Sequence, residues 1–354
     1  MTDRHDHVLF VGLSPLTALL VEEILARPAL RWRVVGLVAD LTPSPVPEVG
    51  PWLGPLTSLG AILEATQPTR VVIVPADRRK SVVEEPLIDA RMRGVIVEDT
   101  IRTLEQATGK LPIEQMSGRS LILSDGFRHS DLLSTGSSVL THGVSVLVAF
   151  VGLVLLAPLL ALIALAIRLD SPGPVFFRQD RLGTGGRPFP LLKFRTMHDL
   201  GARASEWVRD NGHRITRVGR WLRRFRLDEL PQLVNVLRGE MNLVGPRPHP
   251  VSNGRLFMER IPHYRLRSVV RPGITGWAQI QYGYANGLEE ETEKMRYDLF
   301  YIKHRSFALD LRILLATLRL VLWDSRSHEA VRHRPTRTSW PRRWGSTVPG
   351  ASRP

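Results

Sequence analysis

The chain has 354 residues, a formal net charge of +14 and no cysteine. Its length allows two domains with a sizeable core, and the missing cysteines exclude disulfides, thiolate nucleophiles and cysteine-ligated metal sites. The positive excess suits an anionic partner: nucleic acid, an anionic membrane face or phosphorylated substrates.

The opening MTDRHDHVLF lacks the basic-then-apolar layout of a signal peptide. Residues 8–13 (VLFVGL) predict a buried strand, and GLSPLTALLVEEILAR a turn and amphipathic helix. WRVVGLVAD predicts a second strand, TRVVIVP a third and RGVIVED a fourth, with helical sequence between the last two. Strands alternating with helices predict an α/β fold, a doubly wound parallel sheet of Rossmann-like type over residues 1–128. The first turn, G-L-S-P, is not G-x-G-x-x-G, so a structural or regulatory role fits better than cofactor catalysis. Asp40 ends the second strand, where a ribose-binding acid could sit; a turn role is the simpler reading.

A polar stretch, 117–138, leads into GVSVLVAFVGLVLLAPLLALIALAI, residues 143–167, which carries no charge. That run is long enough to span a hydrocarbon core, and a buried soluble helix is rarely so uniformly apolar. Pro158 sits near its middle, where it removes a backbone hydrogen bond and forces a bend. Residues 129–170 therefore hold a linker and a helix-break-helix segment that could dip into the membrane and return instead of crossing it.

Residues 171–324 predict a mainly α domain with a small β-hairpin. GTGG separates two strand-like runs, VFFRQ and FPLLKFRTM. Alternation on the second puts Lys193 and Arg195 on one face, either as solvated cations or as a phosphate clamp. Two helical patterns follow, one through RVGRWLRRF and one from Asp228 through LPQLVNVLRGEM. LVGPRPHP is a rigid extended turn around Arg247. RPGITGWAQI carries Trp277 and Gln279, and LEEETEKMRYDLFYIKHRS is a helix holding Asp298. SFALDLRILLATLRLVLW is an apolar amphipathic helix with Arg312 and Arg319, suited to a membrane interface. The tail, 325–354, is rich in Arg, Pro and Ser and is expected to be disordered, near anionic lipid.

Asp228 and Glu229 lie side by side behind WLRRFR. Adjacent helical residues do not share a face, so the pair suits two separate jobs better than one shared proton. Asp228 could simply cap the helix that begins Glu-Leu-Pro. Alternatively, Arg223, Arg224 and Arg226 would keep a carboxylate ionised and neutralise a diphosphate. An ionised aspartate can attack phosphorus to give an acyl-phosphate, leaving the second acid to bind Mg²⁺.

The motifs LLKFRTM, RLDELPQLVNVLRGEMNLVGPRP, RPGITGWAQ and YDLFYIKH, behind a proline-broken apolar segment, closely resemble the bacterial sugar transferases, the monotopic polyprenyl-phosphate phosphoglycosyl transferases. The resemblance covers roughly residues 132–323, and the N-terminal part is similar to the Rossmann-like domain of larger members. It implies a phosphotransferase that moves a sugar phosphate, glucose or galactose phosphate foremost, from a UDP-sugar to undecaprenyl phosphate, releasing UMP. Exopolysaccharide or related glycan assembly would begin there. By the resemblance Asp228 is the nucleophile and Glu229 the Mg²⁺ ligand. Lys193, Arg223, Arg247 and Asp298 handle phosphate and nucleotide, with Arg195 and Gln279 as further candidate substrate contacts. The broken helix would be re-entrant, with the catalytic domain on the cytoplasmic face of the inner membrane; the arginine-rich sequence after the apolar segment agrees. Inner-membrane lipid is an expected partner, a homodimer is compatible, and nucleic acid is not expected: the arginines spread through turns beside carboxylates instead of lining one recognition helix. Two departures stand out. Ala157-Pro158 replaces the Ser-Pro common at the helix break, and the membrane helices that often precede the Rossmann-like domain are expected to be missing.

Overall fold

The structure, a computed structural model, describes residues 6–40, 50–74, 84–113, 116, 127, 136–198, 214–283, 285 and 287–323. They form two compact units that divide between Gly109 and Lys110. The basic tail lies outside the described residues.

The first unit contains β1 (Asp6–Val11), α1 (Pro15–Leu25), β2 (Trp32–Val38), β3 (Trp52–Gly54), α2 (Leu59–Thr66), β4 (Arg70–Ile73), α3 (Glu84–Met92), β5 (Ile96–Asp99) and α4 (Thr100–Thr108). All pairings are parallel, in the order β3-β2-β1-β4-β5. Side chains on β1 alternate between two cores: Val8 and Phe10 pack against Leu20 and Ile24 of α1 and Leu104 of α4, while Leu9 and Val11 pack against Leu59 and Leu63 of α2 and Ala90 of α3. Because both faces are covered, the strand reads as a continuous apolar run. Asp99 caps α4, accepting the Arg102 N–H at 2.8 Å. Asp40 accepts the Leu56 N–H at 3.1 Å, the turn role. The edge strand β3 was not anticipated, because it is only three residues long and bracketed by Gly50-Pro51 and Pro55.

The second unit opens with α5 (Gly136–Asp170), 35 residues with Pro158 inside. At the usual rise this is about 52 Å of helix. The expected interruption at Pro158 is not present: the helix continues through it, since one proline deletes a single N–H and can be absorbed as a bend. One side of α5 lies along the unit. Near its start, the Ser145 hydroxyl accepts the Leu243 N–H at 3.4 Å and His142 Nδ1 sits 2.8 Å from Asn242 Oδ1. Near its end, Ile163 and Ile167 pack against Phe194 and Leu222. The other side exposes Phe150, Leu155 and Leu162.

A hairpin follows, β6 (Phe176–Leu182) antiparallel to β7 (Pro188–Phe194). Then come α6 (Arg217–Arg224), a 3-10 turn (Leu227–Glu229), α7 (Gln232–Leu237), β8 (Asn242–Val244), α8 (Val251–Arg260), β9 (Gly273–Thr275), α9 (Trp277–Gln281), α10 (Leu288–Lys303) and α11 (Phe307–Trp323). The single helix expected from Asp228 onward is thus two pieces. Pro231 precedes α7 at φ −61, and Arg226 starts the 3-10 turn in the left-handed region at φ 56, so Asp228 is not an α-helix cap. The parallel pair β8–β9 was not foreseen, being short and glycine-flanked. A Cβ on Gly273 would stand 2.1 Å from the Gly245 nitrogen, so this close approach requires glycine.

Candidate active site

Four segments converge on the paired acids. β7 supplies Lys193, α6 supplies Arg223, the 3-10 turn supplies Asp228 and Glu229, and the proline-rich loop after β8 supplies Arg247. Buried Asn235 of α7 locks this arrangement: its side chain accepts the Leu192 N–H at 3.0 Å and donates to the Pro190 carbonyl at 2.9 Å. The residue beside Lys193 is thereby tied to the helix that follows the acids.

Glu229 is the better-held acid. Arg247 grips it with both terminal nitrogens, at 2.5 and 3.2 Å, a bidentate charge-assisted pair. Arg226 lies 3.7 Å away and Lys193 3.9 Å away. Burial pushes the Glu229 carboxyl up, but Arg247 and Lys193 outweigh it and hold it well below the usual carboxylate range. Asp228 is just as buried yet accepts no hydrogen bond among the described residues. Burial, then the neighbouring Glu229 charge, raise its pKa above 3.8; Lys193, Arg223 and Arg247 pull the other way. Burial and Arg247 push Lys193 down to about 7, against the two acids.

Arg181 was not singled out from sequence. It shares the hairpin face of Lys193, because Phe177 pairs with Lys193 and period-two alternation continues through Gln179 to Arg181. Its guanidinium donates to Pro248 O at 2.8 Å and to Gln179 Oε1 at 2.6 Å, and Arg247 and Glu229 both act on its charge. The hairpin register was the signal that would have found it. Two carboxylates thus face Lys193, Arg181, Arg223, Arg226 and Arg247, which leaves a positive excess suited to a polyanion.

Other expected residues sit elsewhere. Asp298 pairs with Arg267, at 2.8 Å to Nε and 2.7 Å to a terminal nitrogen. Arg267 also donates to the Arg247 carbonyl at 3.1 Å and to the Tyr264 hydroxyl at 2.6 Å. Tyr264 donates to Glu291 at 3.1 Å, and His249 stands 2.9 Å from the same carboxylate. Asp298 therefore lies behind Arg247, linked to its carbonyl through Arg267. Burial drives His249 down to about 3, against Glu291, so the ring is neutral at pH 7. The Arg195 guanidinium turns away, donating to Pro172 O at 2.6 Å and Ser171 O at 2.7 Å. It lies just past the end of β7, where strict alternation no longer applies, and no clamp with Lys193 forms. Gln279 donates to Ile274 O at 3.2 Å within its own turn. Arg224 lies over the Trp221 and Phe225 rings.

No cluster of three or more metal-ligating side chains occurs among the described residues. Two adjacent carboxylates with phosphate oxygens would still be a chemically suitable donor set for Mg²⁺, which takes one or two carboxylates and substrate oxygens. Beside Arg247, a pocket is lined by Leu182, Gly183, Pro246, Met258 and Arg265.

Residues 137–324 match the family described as bacterial sugar transferase. A UDP-glucose:undecaprenyl-phosphate glucose-1-phosphate transferase of Escherichia coli is 35% identical over 307 residues, 85% of this chain and 64% of that protein. A UDP-N-acetylgalactosamine-undecaprenyl-phosphate N-acetylgalactosaminephosphotransferase of Aeromonas hydrophila is 39% identical over 219 residues, 62% of this chain and 50% of that protein. The exopolysaccharide production protein PSS of Rhizobium leguminosarum is 40% identical over 194 residues, 51% of this chain and 94% of that protein. The chain thus spans between half and two thirds of the first two relatives and nearly all of the third. With a matching region that contains the paired acids and every basic residue around them, the chain belongs to the bacterial sugar transferase family.

Proposed function

We propose that the chain transfers a hexose phosphate from a UDP-sugar to undecaprenyl phosphate, releases UMP, and so begins assembly of an exopolysaccharide or related glycan. The observation that carries this reading is the division of labour in the acid pair. Glu229 is saturated by cations, while Asp228, equally buried, accepts no hydrogen bond among the described residues and keeps its oxygens available. Relatives named for glucose and for N-acetylgalactosamine support a hexose-type donor.

In the first step an Asp228 carboxylate oxygen attacks the phosphorus that bears the sugar. The bond from that phosphorus to the bridging oxygen breaks, and UMP leaves with the bond electrons. The enzyme is left as an acyl-phosphate ester of the sugar. In the second step an oxygen of undecaprenyl phosphate attacks the same phosphorus and the Asp228 carboxylate is released. Arg247, Lys193 and Arg223 offset the charge of the diphosphate throughout. Mg²⁺ would be held by Glu229 and would supply charge neutralisation on the phosphate oxygens; the diphosphate would then take over the Arg247 guanidinium.

One substrate is a lipid, so the site must meet the bilayer. Both the start and the end of α5 pack on the same compact unit, with its other side apolar and exposed. A helix held at both ends by one soluble unit is poorly placed to carry those ends to opposite sides of a membrane. This supports re-entry from one side, the cytoplasmic face of the inner membrane, where UDP-sugars are found. The parallel sheet of the first unit reverses its order between β1 and β4, which supports a Rossmann-like reading.

The test is nucleotide release from a panel of UDP-sugars with undecaprenyl phosphate and Mg²⁺, comparing the natural protein with Asp228→Asn. UMP is expected, with turnover dependent on the lipid and reduced at least ~1,000-fold in the variant. UDP as the product would mean ordinary glycosyl transfer and reject the reading.

A further inference from the structure

Helix α6 has two unlike faces. The inner one sends Arg223 to the Thr196 hydroxyl at 2.9 Å beside the acids, and buries Leu222 against Ile163 and Ile167 of α5. Its first turn is tied to the last residue of α5, because the Asp170 carboxylate accepts the Val218 N–H at 3.0 Å. The outer face exposes Arg217, Arg220, Trp221 and Arg224, and Trp221 is 63% exposed. Trp221 stacks on Phe225 with centroids 5.8 Å apart and planes 15° apart. The Arg224 guanidinium lies 5.8 and 5.7 Å from the two ring centroids. No acidic residue occurs on α6.

A large exposed aromatic surface flanked by arginines is costly in water and favourable at a bilayer–water boundary. Trp concentrates there, and each cation gains from anionic headgroups. α6 packs on the end of the long apolar helix α5, next to its exposed apolar side. We propose that the outer face of α6 is seated on anionic phospholipid, with Trp221 at headgroup depth and Arg217, Arg220 and Arg224 on lipid phosphates. Because Arg223 projects from the same short helix, the seat also orients a basic side chain at the reaction centre. The inference rests on the membrane placement of α5 and is independent of which sugar is transferred.

The test places the full chain in nanodiscs of brominated phosphatidylcholine, with or without phosphatidylglycerol at constant bromine content. The tryptophan fluorescence of the natural protein minus that of Trp221→Phe isolates the Trp221 signal. That signal is expected to be quenched, and more strongly with phosphatidylglycerol. The double variant Arg220→Gln, Arg224→Gln should lose the phosphatidylglycerol increment, since each arginine near an anionic surface is worth about fivefold in surface affinity. Equal quenching in both lipids, or none, would overturn the proposal. A Phe150→Trp reporter in the Trp221→Phe background reads α5 separately. Quenching at position 150 with an unquenched Trp221 rejects the α6 seat alone; no quenching at either position rejects the membrane placement as well.

Discussion

Lys193 is where pH should act on this site most visibly. Its ammonium is pushed down to about 7 by burial and by Arg247, so in the free enzyme the charge is present below that pH and lost above it. Asp228 works in the opposite sense. Its raised pKa means that it stays protonated, and non-nucleophilic, to a higher pH than the ordinary 3.8. The kcat/KM profile is therefore expected to be a bell, with an alkaline limb near 7 that shifts upward in Lys193→Arg, whose guanidinium does not titrate there. An unmoved alkaline limb in Lys193→Arg would assign that limb to another group. Arg267 poses a question of stability. Its removal as Arg267→Leu strands the buried Asp298 carboxyl and frees the Arg247 carbonyl. Losing one partner of a buried pair costs about 3–5 kcal/mol. Thermal unfolding should show a clear drop in Tm, and a variant as stable as the natural chain would refute the stabilising role of this pair.

The elements explain why some features could be read from the sequence and others could not. Strands β1, β2, β4 and β5 were legible because each holds a short apolar, mostly β-branched run (VLFV, VVGLV, VVI and the Val95-Ile96-Val97 that opens into β5), and the hairpin β6–β7 because GTGG marks its turn. β3, β8 and β9 were not: each is three residues long and glycine-flanked, so its pairing is set by tertiary contact and not by propensity. The acid pair itself was legible, but its backbone was not. The left-handed Arg226 that breaks the helix ahead of Asp228 has no sequence signal, since arginine does not favour that conformation. Two substitutions test this level. Gly273→Ala drives a Cβ to 2.1 Å from the Gly245 nitrogen, where backbone cannot yield as a flexible side chain would. Overpacking of this kind costs about 1–3 kcal/mol, and denaturant unfolding should register the loss. Pro158→Leu restores the missing N–H in the middle of α5 and should favour a straight, spanning helix. Cysteine-accessibility labelling on either side of α5 would detect that change; a periplasmic N-terminal unit in the unaltered chain would contradict re-entry.

At the scale of the whole molecule, chemistry and location are joined by a few short connections. Asp170 at the end of α5 holds the start of α6, and Arg195 holds Ser171 and Pro172 beyond it. Sequence alternation leaves Arg195 either a solvated cation or part of a phosphate clamp; one residue past the end of β7 its guanidinium instead holds this backbone. The account stands or falls on the covalent role of Asp228. The most direct measurement is intact-mass analysis of the purified full chain incubated with a UDP-hexose and Mg²⁺ but no lipid acceptor. The account predicts one hexose-phosphate adduct per chain, mapped to the peptide containing Asp228, with an equal amount of UMP released, and no adduct in Asp228→Asn. UMP formed only when undecaprenyl phosphate is present, with no mass increase on the protein, would contradict it and point to direct transfer between the two substrates.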